Sequence, residues 1–197
     1  MRKAQRHLKA SDKVLAALIE KHGACTMTPA LENPFHALIS SIISQQLSAR
    51  AAGAIKGRLF DLLGAEQFFP DDILKSSAKS FRAAGLSRAK IAYIRGFAAA
   101  VRNGDFDFAS IAQHKDEDVI DKLITFPGIG RWTAEMFLIF GLGRPDILSV
   151  NDAGIKKALK LAYHLRQMPS AAEMISIGEP WRPYRSVASW YLWRVVD

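Results

Sequence analysis

FPGIGRWTAEMFLIFGLGRPDILSVNDAGIKK, residues 126–157, is the stretch that decides how this chain is read. It begins with a Pro-Gly-Ile-Gly turn between two apolar helical runs. Trp132 follows the turn almost directly, and Asp152 stands where a further helix begins. Upstream, Val119, Ile120, Leu123 and Ile124 keep the spacing of one helical face, and Pro127 and Gly128 end that helix. Gly130 is expected to let the chain turn tightly and to leave unobstructed the amides that open a helix over residues 131–142. Amides at a helix N-terminus are unpaired donors at the positive end of the dipole and attract anions, so a nucleic-acid phosphate fits them. A bare Gly-x-Gly more often marks a corner where glycines only permit close packing. Pro127, Arg131 and the apolar helices on both sides shift the reading to phosphate binding.

Asn151 and Asp152 precede Ile155, Ala158, Leu159 and Ala162, a helical stripe that leaves Lys156, Lys157 and Lys160 on other faces. Either residue can simply cap this helix, because Asn and Asp are preferred there. Capping and catalysis do not compete, however. The positive end of a helix favours the ionised carboxylate, which suits a group that stabilises positive charge rather than one that donates a proton.

Composition points the same way. Lys plus Arg number 27 against 19 Asp plus Glu, a net charge of +8, which favours a polyanionic partner; charge alone fits a ribosomal or membrane-surface protein equally well. The single cysteine, Cys25, excludes an intrachain disulfide framework and a four-cysteine metal or iron–sulfur site. Residues 1–10, MRKAQRHLKA, are basic without the apolar core of a secretory signal and read as a frayed start. No uninterrupted apolar stretch reaches membrane-spanning length, so a soluble intracellular protein without a membrane partner is expected.

Helical spacing recurs along the chain. Ser11 is expected to cap a helix over 12–22 that Gly23 ends, and helices over 34–46 and 48–63 flank a break at QQLS, residues 45–48. Short helices over 71–75 and 78–84 precede a longer one over 87–102, with Gly85 and Gly104 as stops. Arg88, Lys90 and Arg95 read as a solvated face that can also add phosphate contacts. Phe106, Phe108 and Ile111 read as a tether packed on the core. At the C-terminus Trp181, Tyr184, Trp190, Tyr191 and Trp193 alternate with Arg182, Arg185 and Arg194, and most of these aromatics are assigned to packing. Pro180 and Pro183 suit the first turn of a helix. No strand-like alternation persists, and the fold class is all-α.

Residues 126–152, SIISQQLSARAA (41–52) and PWRPYRSVASWYLWR (180–194) together resemble the helix-hairpin-helix superfamily of DNA glycosylases, in its 3-methyladenine DNA glycosylase II branch. The resemblance covers residues 33–197, and three motifs in the right order are far more specific than any one. It implies a compact helical glycosylase unit of two helical subdomains, roughly 34–150 and 1–33 plus 151–197, with a cleft between them. The mixed α/β domain that precedes the helical part in longer relatives has no room here, so the core enzyme is expected to stand alone. Some relatives carry an iron–sulfur cluster after the C-terminal helices, which a single cysteine excludes.

The resemblance also distributes roles. Gln46 takes the position of the wedge that enters the minor groove and fills the gap left by an extruded nucleotide, offsetting part of the few kcal/mol lost in unstacking; its alternative is a glutamine that satisfies backbone groups at a helix end. Trp132 and Trp193 match aromatics that line the base pocket. Met136, one turn beyond Trp132, faces the same cavity, and close relatives can have tyrosine there, which leaves the base preference open. Pro127, Gly128, Ile129, Gly130 and Arg131 hold the DNA backbone, and carbonyls of Phe126 and Ile129 can hold a monovalent ion. No catalytic metal and no cofactor are implied, and the partner is double-stranded DNA containing alkylated bases, met by a monomer.

Hydrolysis of an N-glycosidic bond builds positive charge on the sugar, so a fixed anion is needed, and Asp152 is the catalytic residue that supplies it and orients or deprotonates water. A 3-methyladenine-type purine is cationic and leaves readily without a strong general acid. Electron-rich rings attract such a base by about 0.5–2 kcal/mol per contact. Bifunctional relatives carry a lysine just after the hairpin; here Arg131 and Trp132 stand there, so monofunctional base release is expected. The competing readings are a non-catalytic hairpin protein that only binds DNA, and a glycosylase for deaminated or oxidised bases. Backbone contacts should dominate non-specific affinity, so binding to an undamaged duplex is expected to fall steeply between low and high salt in an anisotropy titration; a flat response removes the phosphate reading.

Overall fold

The computed structural model describes residues 1–196, and among these the chain is helical throughout, with no strand. It divides into two units. Pro29–Leu142 form a central one; Met1–Thr28 and the chain from Gly143 onward form a terminal one. The terminal unit therefore takes residues 143–150 and the central one residues 29–33, each the reverse of what the resemblance implied.

The terminal unit starts with α1 (Arg2–Ser11) and α2 (Lys13–His22). Residues 2–11 are thus an ordered helix rather than a frayed start. Strong helix formers fill it, and Ala4 and Leu8, one turn apart, are buried in the unit's core while the basic residues stay outside. Ser11 does not cap α2. It is the last residue of α1 and its hydroxyl donates back to the Leu8 carbonyl, while Asp12 accepts the amides of Val14 and Leu15 at 2.8 and 3.0 Å.

The central unit runs through α3 (Pro34–Ser44), α4 (Ala49–Leu63), α5 (Pro70–Lys75), α6 (Ala78–Ala83), α7 (Arg88–Asn103), α8 (Phe108–Ile111), α9 (Asp116–Ile124) and α10 (Arg131–Phe140). Side-chain caps set several starts: Asn33, Ser48, Ser77 and Ser87 each accept an amide from the first turn of the helix that follows. Gly64 and Gly104 end α4 and α7 in the left-handed conformation, where no Cβ opposes the turn. The tether at 106–111 contains the short helix α8, capped by Asp107. Its Phe106 ring lies 5.2 Å from Phe97 and 5.7 Å from Phe126, and Phe97 and Phe126 are 5.1 Å apart, so α7, the tether and the end of α9 share one aromatic cluster. Helix α10, buried along most of its length, packs on α3 and α9.

The terminal unit is completed by α11 (Ala153–Ala162), α12 (Ala171–Gly178), a 3-10 turn (Glu179–Trp181) and α13 (Arg185–Trp193). Leu8, Leu15, Ile155, Leu159, Met174, Trp181, Tyr191 and Leu192 form its core. The two prolines do not open the C-terminal helix: Pro180 lies in the 3-10 turn and α13 starts only after Pro183. No helix among the described residues is long and apolar enough to cross a membrane.

Asp12 closes this unit. Its second carboxylate oxygen accepts the Tyr163 hydroxyl at 2.6 Å and the Trp181 indole N–H at 2.8 Å. Burial and the neighbouring carboxylate push the Tyr163 hydroxyl far above the usual phenol range. Replacing Asp12 by alanine removes a cap and strands two donors, at about 1 kcal/mol for the cap and about 1 kcal/mol or more for each donor. Asp12→Ala is expected to lose about 3 kcal/mol in urea melts; a loss below about 1 kcal/mol means that the network contributes little.

Candidate functional site

The hairpin is built by α9, α10 and α7. After α9 the Phe126 amide donates to Leu123, and the Ile129 amide donates to Phe126, both at 3.1 Å. Gly128 takes φ +82°, and a Cβ there would lie 2.1 Å from the Tyr93 ring of α7, so a side chain is excluded by both conformation and space. The glycine that the turn requires is therefore Gly128 and not Gly130. Gly130 has φ −95° and ψ 173°, ordinary extended backbone, with open space where a Cβ would stand. Its value lies elsewhere: as the N-cap of α10 it brings no side chain of its own to that first turn. Pro127 is exposed, whereas the Ile129 side chain is buried and pegs the turn to the core.

Arg131 is already engaged. Its guanidinium donates to both carboxylate oxygens of Glu117, at 2.7 and 3.0 Å, and to Glu135 at 3.0 Å, clipping α9 to α10. The guanidinium holds the Glu117 carboxyl below its usual range. A phosphate contact by Arg131 has to compete with two carboxylates. Of the two carbonyls singled out for a monovalent ion, that of Phe126 already accepts the Ile129 amide.

The QQLS break is fastened from inside. Gln46 is exposed and left-handed, with φ +57°, an uncommon state for a residue with a Cβ. Gln45 beside it turns inward, its amide nitrogen donating to the Gly128 carbonyl and to the Thr133 hydroxyl, each at 2.8 Å. Lys90 of α7 donates to the carbonyls of Ile43 and Gln45, both at 2.7 Å, and burial lowers its ammonium pKa. Lys90 and Arg95 are thus not a solvated face: Arg95 likewise donates to Ile73 and Ser76 at the end of α5. Each cation meets the negative end of a helix whose last carbonyls lack intrahelical donors. The sequence carried one signal for this. Helix α3 ends without a glycine or asparagine to close it, so its carbonyls had to find donors elsewhere in the fold.

Asp152 is the N-cap of α11. One carboxylate oxygen accepts the Ile155 amide at 2.8 Å, and the residue is only 6% exposed. The loop leading to it is held by the start of α13: Ser186 donates its hydroxyl to Arg144 and its amide to Pro145 and accepts the Ile147 amide, while Arg185 binds the Asp146 carboxylate at 2.7 Å. The same helix carries Trp193, half-buried at its far end. Asp152 and Trp193 meet at Gly154, where a Cβ would stand 3.1 Å from the carboxylate and 3.4 Å from the indole. Gly154, Ser186 and Asp146 escaped the sequence reading, which had no means of knowing that residues 144–149 and 185–186 are neighbours.

Within the central unit, Trp132 and Met136 lie one turn apart on α10, Trp132 half-buried and Met136 buried. The first turn of that helix is tied through Thr133 to Gln45, so the base-facing candidates, the hairpin and the Gln46 loop share one scaffold.

Comparison with known proteins gives the family. A family model described as HhH-GPD superfamily base excision DNA repair protein matches residues 39–183. The chain is 32% identical to the alkylbase DNA glycosidase-like protein mag2 of Schizosaccharomyces pombe, covering 98% of this chain and 93% of that one. Among solved structures it resembles the 3-methyladenine DNA glycosylase Mag1 of the same yeast in complex with abasic DNA, with a TM-score of 0.87, 32% identity, and coverage of 98% and 95%. A DNA-3-methyladenine glycosidase from Bacillus halodurans gives a TM-score of 0.75 at 38% identity, with coverage of 98% and 89%. With well over half of its residues and the whole hairpin inside the matched span, the chain belongs to the HhH-GPD superfamily of base excision DNA repair proteins.

Proposed function

We propose that this protein is a monofunctional DNA glycosylase that hydrolyses the N-glycosidic bond of alkylated, 3-methyladenine-type purines in double-stranded DNA and leaves an abasic site. The relatives whose names specify 3-methyladenine glycosylase activity support the substrate class. The observation that carries the chemistry is Asp152: a carboxylate set at the positive end of α11, almost wholly buried and sharing Gly154 with an indole.

Each step follows from the residues. A DNA phosphate is held at the first turn of α10, which its glycine N-cap leaves open to an anion and where backbone donors and the helix dipole act together. Gln46, exposed at the break between α3 and α4, fills the space that the extruded nucleotide vacates. Trp132, Met136 and Trp193 give the cationic base aromatic and apolar contacts. As the bond from C1′ to the base nitrogen lengthens, its electron pair moves onto the base and cancels the base's positive charge. The sugar becomes positive, and the Asp152 anion stabilises it in a setting with little competing water. Water then adds at C1′ and gives up its proton to the carboxylate or to solvent. No lysine follows the hairpin, so the sugar has no amine to form a Schiff base and strand cleavage is absent.

Asp152→Asn is a clean test, because the amide oxygen still caps α11 while the charge is lost. Release of 7-methylguanine or 3-methyladenine from a duplex is expected to fall by at least roughly a hundredfold, with DNA affinity nearly intact. Unchanged release removes Asp152 from the chemistry, and a wild-type protein inert on every alkylated duplex leaves only DNA binding. The two hairpin glycines should separate. Gly130→Ala is expected to fold normally yet bind damaged and undamaged duplexes more weakly, whereas Gly128→Ala lowers the melting temperature by collision with Tyr93. Normal DNA affinity in a well-folded Gly130→Ala protein excludes the first turn of α10 as the phosphate anchor.

A further inference from the structure

We infer that Gln45 and Lys90 are positioning residues for strand invasion: they fix the backbone that presents Gln46 and lock it to the hairpin, so that phosphate anchoring and wedge insertion act as one rigid part. This rests on the wedge reading of Gln46 given above. Four contacts carry it. Lys90 grips the carbonyls of Ile43 and Gln45, two of the three that lead into Gln46, at 2.7 Å each. Gln45 reaches from the same junction to the Gly128 carbonyl and the Thr133 hydroxyl. Helix α7, which supplies Lys90, also supplies the Tyr93 ring that closes on Gly128. Gln46 sits between these grips in a left-handed conformation that costs about 1 kcal/mol or more unless its surroundings enforce it.

The physical need is specific. A wedge on a loose loop would lose the freedom of that loop on entering DNA, and the side chain would gain little from the gap it fills. A wedge whose backbone is already immobilised loses far less. Tying it to the residue that shapes the phosphate turn also sets its distance from the anchored backbone, which an independent loop could not do. Lys90 uses two of its three donors and Gln45 both of its amide hydrogens for this, so neither is disposed to act as a DNA ligand.

Wedge insertion can be read without any base release, as the preference of the intact protein for a duplex with one tetrahydrofuran abasic analogue over the same duplex undamaged. Gln46→Ala is expected to reduce that preference about tenfold. Gln45→Met and Lys90→Met, which keep the stems and lose the donors, are each expected to reduce it to a similar degree, and Lys90→Met, which removes no bond to the hairpin, leaves undamaged-duplex affinity within about twofold. In the double variants Gln46→Ala should add almost nothing, the non-additivity of groups that act as a unit. Additive losses, or a preference unchanged in both methionine variants, overturn the inference, as does a parallel fall in undamaged-duplex affinity and melting temperature. Methylated-base release by the wild type is measured beside it: a wild type that prefers the abasic duplex, shows this coupling and releases no base contradicts the glycosylase reading and leaves the positioning role standing.

Discussion

The tightest constraint in the central unit is the meeting of the Gly128 backbone with the Tyr93 ring, at a separation that leaves no place for even a methyl group. That contact fixes where the turn after α9 lies on α7. From there the rest is determined: Ile129 is buried beneath the turn, Gly130 opens α10 without a side-chain cap, and the Gly128 carbonyl receives Gln45. A motif usually described as a loop between two helices is here a three-helix construction, with α7 as the third member. The surface proposed to hold a phosphate is backbone, and backbone can be aimed only by packing whatever lies behind it.

In the terminal unit a single carboxylate carries both the start of a helix and the proposed chemistry. Asp152 is needed to start α11, and that need places its charge at a defined point beside Trp193. The helix returns the favour electrostatically, since its first amides partly compensate a charge that burial would otherwise penalise. The neighbouring loop is held by Ser186 and Arg185, so the carboxylate's position is set by α13, the helix that also carries the indole. Alignment of anion and aromatic ring thus depends on one scaffold rather than on two independent ones.

Much of this was legible in the sequence because it is local. Apolar spacing located the longer helices, Gly23 and Gly104 ended two of them, and the Pro-Gly turn and Asp152 could be singled out from their neighbours alone. Features that depend on distant partners were not. Lys90 and Arg95 look like surface charges until the ends of α3 and α5 are seen to lie beside them. Arg131 looks like a phosphate ligand until Glu117 and Glu135 are found around it. The basic N-terminal segment reads as loose because nothing within it reveals the core that Ala4 and Leu8 enter. Choosing between Ser11 and Asp12 as a cap was a local matter of one residue, and the carboxylate prevailed because it serves Tyr163 and Trp181 as well.

The reach of Asp12 also bears on how the chain matures. Its carboxylate joins residues 151 and 169 positions downstream, and the whole terminal unit is assembled from two segments with the central unit inserted between them. On a ribosome the first two helices must therefore remain without their partners until the last aromatic-rich helix has emerged, holding Ala4, Leu8, Leu15 and Ile19 exposed in the meantime. The contiguous central segment is under no such delay. A protein arranged in this way brings the Asp152 carboxylate and the Trp193 indole into their final setting only after α13 has been made, whereas the hairpin is complete much earlier.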